Sequence, residues 1–184
     1  MATEHTGIRI AGLVFGLTIS IAPLAVSAGT APDRIPDRVI ATAMQEADCW
    51  LSLADVKTDL PPAQRLDDRF RLLEIPCWRA AYQAGSMFLA FEAEMPKTAR
   101  LLRFPIPEAD GFIAEASLTF PDFDPATRRL TSLHRARGLG DCGSAGRWIW
   151  IEDAFVLEHY WRKDDCDGTL FDPFNEPQRW RVYP

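Results

Sequence analysis

From Ile10 to Thr30 the chain carries no charged side chain, and this gap sets the conditions under which everything after it must fold. The segment before it, Met1 to Arg9, is short and polar, with Arg9 as its basic residue and Glu4 opposing it. The gap holds an apolar stretch from Ile10 to Val26 and then the small residues Ser27 and Ala28. A basic start, an apolar middle and a small-residue exit are the order of a secretory signal peptide. A membrane anchor needs about 20 predominantly apolar residues, and here Gly12, Gly16, Thr18, Ser20 and Pro23 dilute the run. The first cysteine is Cys49, too far away for a lipidated cleavage site. The expectation is a signal peptide over residues 1–28, cleaved after Ala28. A flexible leader over 29–36 and a single disulfide-bonded domain over 37–184 follow. The mature protein is expected in the periplasm or secreted, with no membrane attachment after cleavage.

Export changes how the cysteines read. Cys49, Cys77, Cys142 and Cys166 all follow the signal, and an even count in an oxidising compartment reads as disulfides. Three pairings are possible. Neighbour pairing, Cys49–Cys77 and Cys142–Cys166, closes the shortest loops, and each bond then contributes about 3–4 kcal/mol on the chain-entropy model. No close C-x-x-C pair occurs, and the histidines after the signal are His134 and His159. Neither a metal site nor a cofactor is expected from that set. The net charge of −6 argues against nucleic acid and anionic lipid, both of which need a basic face. A basic envelope or cell-wall protein is a compatible partner.

Beyond the leader, Asp37 stands where a helix N-cap would, and Val39, Ile40, Ala43, Met44 and Ala47 fall on one helical face. This predicts a helix to about Asp48 that presents Cys49 at its end. From Phe70 the texture becomes that of strands. Candidates are Phe70–Ile75 stopped by Pro76, Trp78–Gln83 closed by Ala84-Gly85-Ser86, Met87–Glu92, and Ala99–Phe104 stopped by Pro105 and Pro107. Ile113–Phe120 follows, then a turn-rich break over Pro121–Pro125. Further candidates are Arg129–Arg137, Trp148–Ile151 after a glycine-dense loop over 138–146, and Ala154–Arg162. In the last of these, Phe155, Leu157, His159 and Trp161 fall on one face at period 2. Trp180 lies in a candidate final strand on the same sheet. Many short strands with frequent turns predict a mainly β fold: an antiparallel sheet, sandwich or barrel-like domain with one N-terminal helix, stapled by disulfides.

Three constellations invite a chemical reading. Gly140-Asp-Cys-Gly143 could set Cys142 on a tight turn as a nucleophile with His134 or His159 as base. A reactive cysteine must be a thiolate, however, and export favours a disulfide loop whose glycines permit positive φ. Asp164, Asp165 and Asp167 flank Cys166, but the spacing fits no EF-hand and reads as a solvated turn. His159 reads as a hydrogen-bonded core histidine, and His134 as a residue of an exposed strand. No G-x-S-x-G signature is present, so no catalytic residue is assigned. The aromatic set of Trp148, Trp150, Tyr160 and Trp161 serves a core by default. It is also the candidate binding surface, because aromatics dominate interface hot spots.

Ile75-Pro-Cys-Trp-Arg-Ala-Ala-Tyr-Gln83, Arg137-Gly-Leu-Gly-Asp-Cys-Gly143, Trp148-Ile-Trp150, Phe155-Val-Leu157 and Cys166-Asp-Gly168 together resemble the proteobacterial domain of unknown function 1176. The resemblance covers roughly Asp48 to the C-terminus, and the glycine–Asp–Cys–Gly loop followed by W-x-W is its specific part. The chain departs from the pattern at Gln83, where the family usually has Asn, and at Ile151-Glu152-Asp153, where it usually has Asp-Gly. Members are often longer, so this chain resembles a short form. The resemblance implies a secreted or periplasmic protein of a Gram-negative bacterium and brings no activity or catalytic residues.

The leading functional expectation is a non-catalytic periplasmic binding module, with an inhibitor of a cell-wall hydrolase such as lysozyme as one concrete version by fold-level analogy. The alternatives are an envelope enzyme using Cys142 or His159, and a structural envelope protein.

Overall fold

Met87-Phe-Leu-Ala-Phe91 contains no polar residue, and a strand of that sequence must be covered on both faces. The computed structural model, which describes residues 34–184, places it so. The expected signal peptide and most of the expected leader lie outside the described residues. Strand β3 (Ala84–Glu92) is the centre of a five-stranded antiparallel sheet. It pairs on one edge with β2 (Phe70–Arg79), which carries the short β1 (Gln64–Arg65). Its other edge holds β4 (Met95–Leu101) and, further along, β7 (Ser117–Thr119).

The two faces of this sheet have different covers. Leu73, Ile75, Cys77, Met87, Leu89 and Phe91 pack against α1 (Asp37–Glu46) and the one-turn α2 (Leu53–Val56). Phe70, Leu72, Phe88 and Ala90 point the other way, into the main core. The second sheet closes that core, in the order β12 (Arg181–Tyr183), β11 (Ala154–Lys163), β10 (Gly143–Ile151), β9 (Arg129–Arg135), β8 (Asp122–Asp124). A hairpin of β5 (Phe104–Glu108) and β6 (Gly111–Glu115) completes the fold. Phe104 sits at the centre, with ring centroids 5.6 Å from Phe88, from Trp148 and from Phe155. The fold is therefore mainly antiparallel β in two packed sheets, with helices on the outer face of the first.

Two disulfides staple this arrangement, in the neighbour pairing: Cys49–Cys77 and Cys142–Cys166. The first fastens the end of α1 to β2. Its approach is set by the helix terminus: Cys49 N donates to Met44 O and Asp48 N to Gln45 O. Asp48 adopts the left-handed conformation, φ 51°, that such a terminus requires.

Several local expectations are corrected. Asp37 is the first helical residue rather than the cap, which is Pro36, and its carboxylate pairs with Lys57 instead. Pro76 does not end its strand: β2 continues to Arg79 through a break in register between Pro76 and Trp78. The strand expected over Trp78–Gln83 is the end of β2 and a turn, and Ala84-Gly85-Ser86 opens β3. Pro105 and Pro107 lie inside β5, which pairs on one side only. Two prolines two residues apart place both missing N–H groups on one free edge, where a strand tolerates them. The stretch expected over Ile113–Phe120 is divided between β6 and β7, and the glycine loop is shorter than expected because β10 already begins at Gly143.

The largest correction concerns β11. Arg147 faces His159, but Trp148 faces Leu157, so Glu158 is an extra residue in the ladder. A bulge of this kind exchanges the faces of everything beyond it. Tyr160 joins Phe155 and Leu157 in the main core, while Trp161 turns away to a separate cluster with Ala145 and Phe171. Trp148, Trp150 and Trp161 are wholly buried and Tyr160 nearly so, so the binding surface expected from these four is not at the surface. The three indole N–H groups have internal partners. Trp148 Nε1 donates to Pro105 O, Trp150 Nε1 to Asp67 Oδ2 and Trp161 Nε1 to Pro177 O.

Candidate functional site

The most enzyme-like motif of the chain is a latch. Cys142 is bonded to Cys166, so it offers no thiolate. Beside it Asp141, 1% exposed, receives both arms of the Arg137 guanidinium, with Nε at 2.7 Å from Oδ1. Arg137 also donates to Cys166 O, and Gly168 N donates to Asp141 Oδ2 at 2.7 Å. The guanidinium is the main reason that the Asp141 carboxyl is held far below the usual carboxylate range. Lys163, itself buried, donates to Asp141 O, to Asp165 O and to Asp167 Oδ1. That contact depresses the Asp167 pKa to about 2. Asp141, Cys142 and Cys166 bring potential ligand atoms within 4.8 Å of one another, but both sulfurs are spent in the disulfide. Gly143 is fixed by sterics, since a Cβ there would lie 2.0 Å from His134 O.

His159 lies beyond the bulge, its ring 5.7 Å from Trp161. Its Nδ1 is the one buried side-chain polar atom without a hydrogen-bond partner among the described residues. Desolvation, then Arg181 and Arg147, push its pKa below the usual histidine value.

A different place brings polar groups together. On the core-facing side of β9, Leu130 is followed two residues on by Ser132 and then by His134. On β10 the same face reads Trp148, Gly146, Ser144 toward the same end. Period-2 alternation keeps these positions on one face, so the interior of the sandwich changes from apolar to polar along its own strands. The result is a cleft of about 300 Å3. Ser132 and Tyr160, both more than nine-tenths buried, line it with Ser144 and His134 from the second sheet. Trp78 of β2, Thr119 of β7 and Glu115 of β6 face them from the first sheet and the hairpin.

Each wall has a local cause. Trp78 follows the register break at Pro76 and lies flat on Gly85, where a Cβ would approach the indole to 2.3 Å. Gly85 is thus the seat of the ring. Trp50, just past the Cys49–Cys77 bond and exposed, has its ring centroid 6.0 Å from that of Trp78. The turn carrying Gln83 is tied across to β9, with Arg135 N donating to Gln83 Oε1 at 3.2 Å. Thr119 Oγ1 and His134 Nδ1 are 3.4 Å apart. His134 is open to solvent at its edge, yet desolvation of its ring lowers its pKa and keeps it neutral at pH 7. Glu108 at the rim is paired with Arg162 at 3.0 Å.

A hollow of about 400 Å3 between the helices and the first sheet is less suited to recognition. Ile40, Leu53, Leu73 and Phe91 line it, and its charged pair, Asp37 and Lys57, is already mutually satisfied. Sequence reasoning named His134 and Tyr160 but missed the cleft, including Trp78, Glu115, Ser132 and Ser144. The available signal was polar residues at inward-facing positions of β9 and β10.

A family model described as "Protein of unknown function (DUF1176)" matches residues 21–183. The "Uncharacterized protein YpfG" of Escherichia coli (strain K12) is 28% identical over 130 residues, covering 70% of this chain and 36% of that protein. The chain therefore spans little more than a third of the length of that relative. No solved structure matches at a significant level.

Proposed function

The chain belongs to the DUF1176 family of proteins of unknown function, and from that premise we propose that it is a non-catalytic binding module of the periplasm that takes its ligand in the cleft between its two sheets. The observation that carries this reading is the cleft itself. It is a concave site with an aromatic wall and converging polar groups, held between elements that a disulfide and a cross-sheet hydrogen bond restrain. Sites of this shape and lining are where proteins bind small ligands. Two disulfides support an oxidising compartment, and no helix among the described residues is long and apolar enough to cross a membrane.

The nucleophile alternative at Cys142 loses its support because that sulfur is bonded. The version in which the partner is a basic cell-wall hydrolase draws on the net charge of −6. Inhibition of a lysozyme panel at low salt tests it, and no effect at micromolar protein removes it.

The cleft reading is tested by calorimetric titration of the protein with a panel of amino acids, amines, sugars and cell-wall fragments. At least one class binds, and Ser144→Phe, which fills the cleft, abolishes that binding while the circular dichroism spectrum is unchanged. Ligands that bind equally to Ser144→Phe, or a panel with no binder, refute it.

A further inference from the structure

The chemistry of the cleft selects among ligand classes. No Lys or Arg side chain lines it. The guanidinium of Arg162, 5.8 Å over the Tyr160 ring, is spent on Glu108 and on Pro107 O. Those two charges cancel at the rim. Glu115, half-buried on the opposite wall, has no hydrogen-bond or ion-pair partner among the described residues, so its negative charge is left over. The remaining polar atoms are hydroxyls of Ser117, Ser132, Ser144, Thr119 and Tyr160 and the neutral imidazole of His134, all of which can accept hydrogen bonds. The indole of Trp78, seated on Gly85, adds an electron-rich ring to the lining.

Resting on the reading of this cleft as a ligand site, we propose that it recognises an organic ammonium group, held by Glu115 and the Trp78 ring. An ammonium group brings the positive charge that the walls lack, and a primary or secondary one also donates to the hydroxyl oxygens and to Glu115. Indole faces attract cations, most strongly when the site excludes water. A charge-assisted bond to a carboxylate is about twice as strong as a neutral one. An anion would meet Glu115 as a like charge. A neutral polyol could donate hydroxyl hydrogen bonds to Glu115 but would leave its charge unmatched, which disfavours it against a cation. The ammonium group can come from a free amine, such as choline or spermidine, or from a lysine of a basic protein. A volume of about 300 Å3 suits the free amine.

The probes are choline, spermidine, Nα-acetyl-lysine amide and a basic lysozyme, with 3,3-dimethylbutanol as the uncharged isostere of choline and with glutamate and a disaccharide for comparison. Calorimetry is paired with tryptophan fluorescence. At least one ammonium ligand binds saturably at about 1 mM or tighter. The uncharged isostere binds about tenfold more weakly or not at all, and Glu115→Gln weakens the ammonium ligand about tenfold. Glu115 lies on the outer hairpin and its amide is near-isosteric, so the variant keeps the fold; Trp78→Leu provides the second arm. Binding by lysozyme alone, lost in Glu115→Gln, retains the chemistry and assigns its source to protein lysine. Equal binding of choline and its isostere, or no change in Glu115→Gln, overturns the ammonium assignment. A sugar or carboxylate that binds and is lost in Ser144→Phe overturns it while leaving the cleft reading standing. A panel with no binder overturns both.

Discussion

The indole N–H of Trp150 donates to Asp67 at 2.7 Å across 83 residues of sequence, joining the buried centre of one sheet to the turn that opens β2 in the other. The same carboxylate accepts from Phe70 N at 2.7 Å and from Arg69 N at 2.8 Å. One side chain thus shapes a turn and satisfies a wholly buried donor. Asp67→Ala strands that donor, and an unsatisfied buried N–H costs about 1–3 kcal/mol. Urea unfolding followed by fluorescence measures the loss. The double variant with Trp150→Phe loses less than the sum of the two single losses.

Acid sensitivity follows from the same kind of contact at the latch. The folded-state pKa values of Asp141 and Asp167 are depressed, the first by Arg137 and the second to about 2 by Lys163. A depressed carboxylate contributes stability above its unfolded pKa and loses it as pH falls through the folded one. Stability therefore declines from about pH 4 toward pH 2. Denaturation midpoints measured between pH 7 and pH 2 show this slope, and Asp167→Asn makes it shallower.

Removing the second disulfide tests the latch directly. Cys142→Ser with Cys166→Ser lowers stability by about 3 kcal/mol in the chain-entropy account. The hydrogen bonds of Arg137, Asp141 and Lys163 still hold the loop, so the domain remains folded at neutral pH. Amide hydrogen exchange then rises first over residues 138–142 and 164–170.

Glycine positions divide by mechanism. Gly143, φ 148°, has His134 O where a Cβ would lie, so Gly143→Ala costs about 3 kcal/mol or more in strain and displaced backbone. Asp48 is the converse case: a non-glycine residue in the left-handed region at a helix end. Asp48→Gly raises stability by about 0.5–1 kcal/mol by relieving that conformation.

The legible part of this molecule was what depends on periodicity and counting. Four cysteines behind an export-like segment read as two disulfides, and the hairpin from Trp148 to Arg162 follows from alternation and a two-residue turn. Alternation assumes an unbroken ladder, however. The extra residue at Glu158 leaves no mark in composition, and it exchanges the faces of Tyr160 and Trp161, bringing Tyr160 to the side of Phe155 and Leu157. Pro76, Pro105 and Pro107 do not act as stops, because a proline's cost depends on whether an edge is free, a property of pairing rather than of sequence. The cleft was hidden for a related reason. Ser132, Ser144 and Glu115 are unremarkable alone, and they meet only because two sheets and a hairpin converge at one end of the core.

The central claim is that the open, polar end of the sandwich is the binding site. The most direct test is amide and indole chemical-shift mapping of the 15N-labelled protein during titration with the whole panel of amines, amino acids, sugars and cell-wall fragments. The account predicts shifts concentrated at the Trp78 indole, Glu115, His134 and Ser144, saturating together and absent in Ser144→Phe. Shifts confined to another face, or none at any concentration of these ligands, would contradict it.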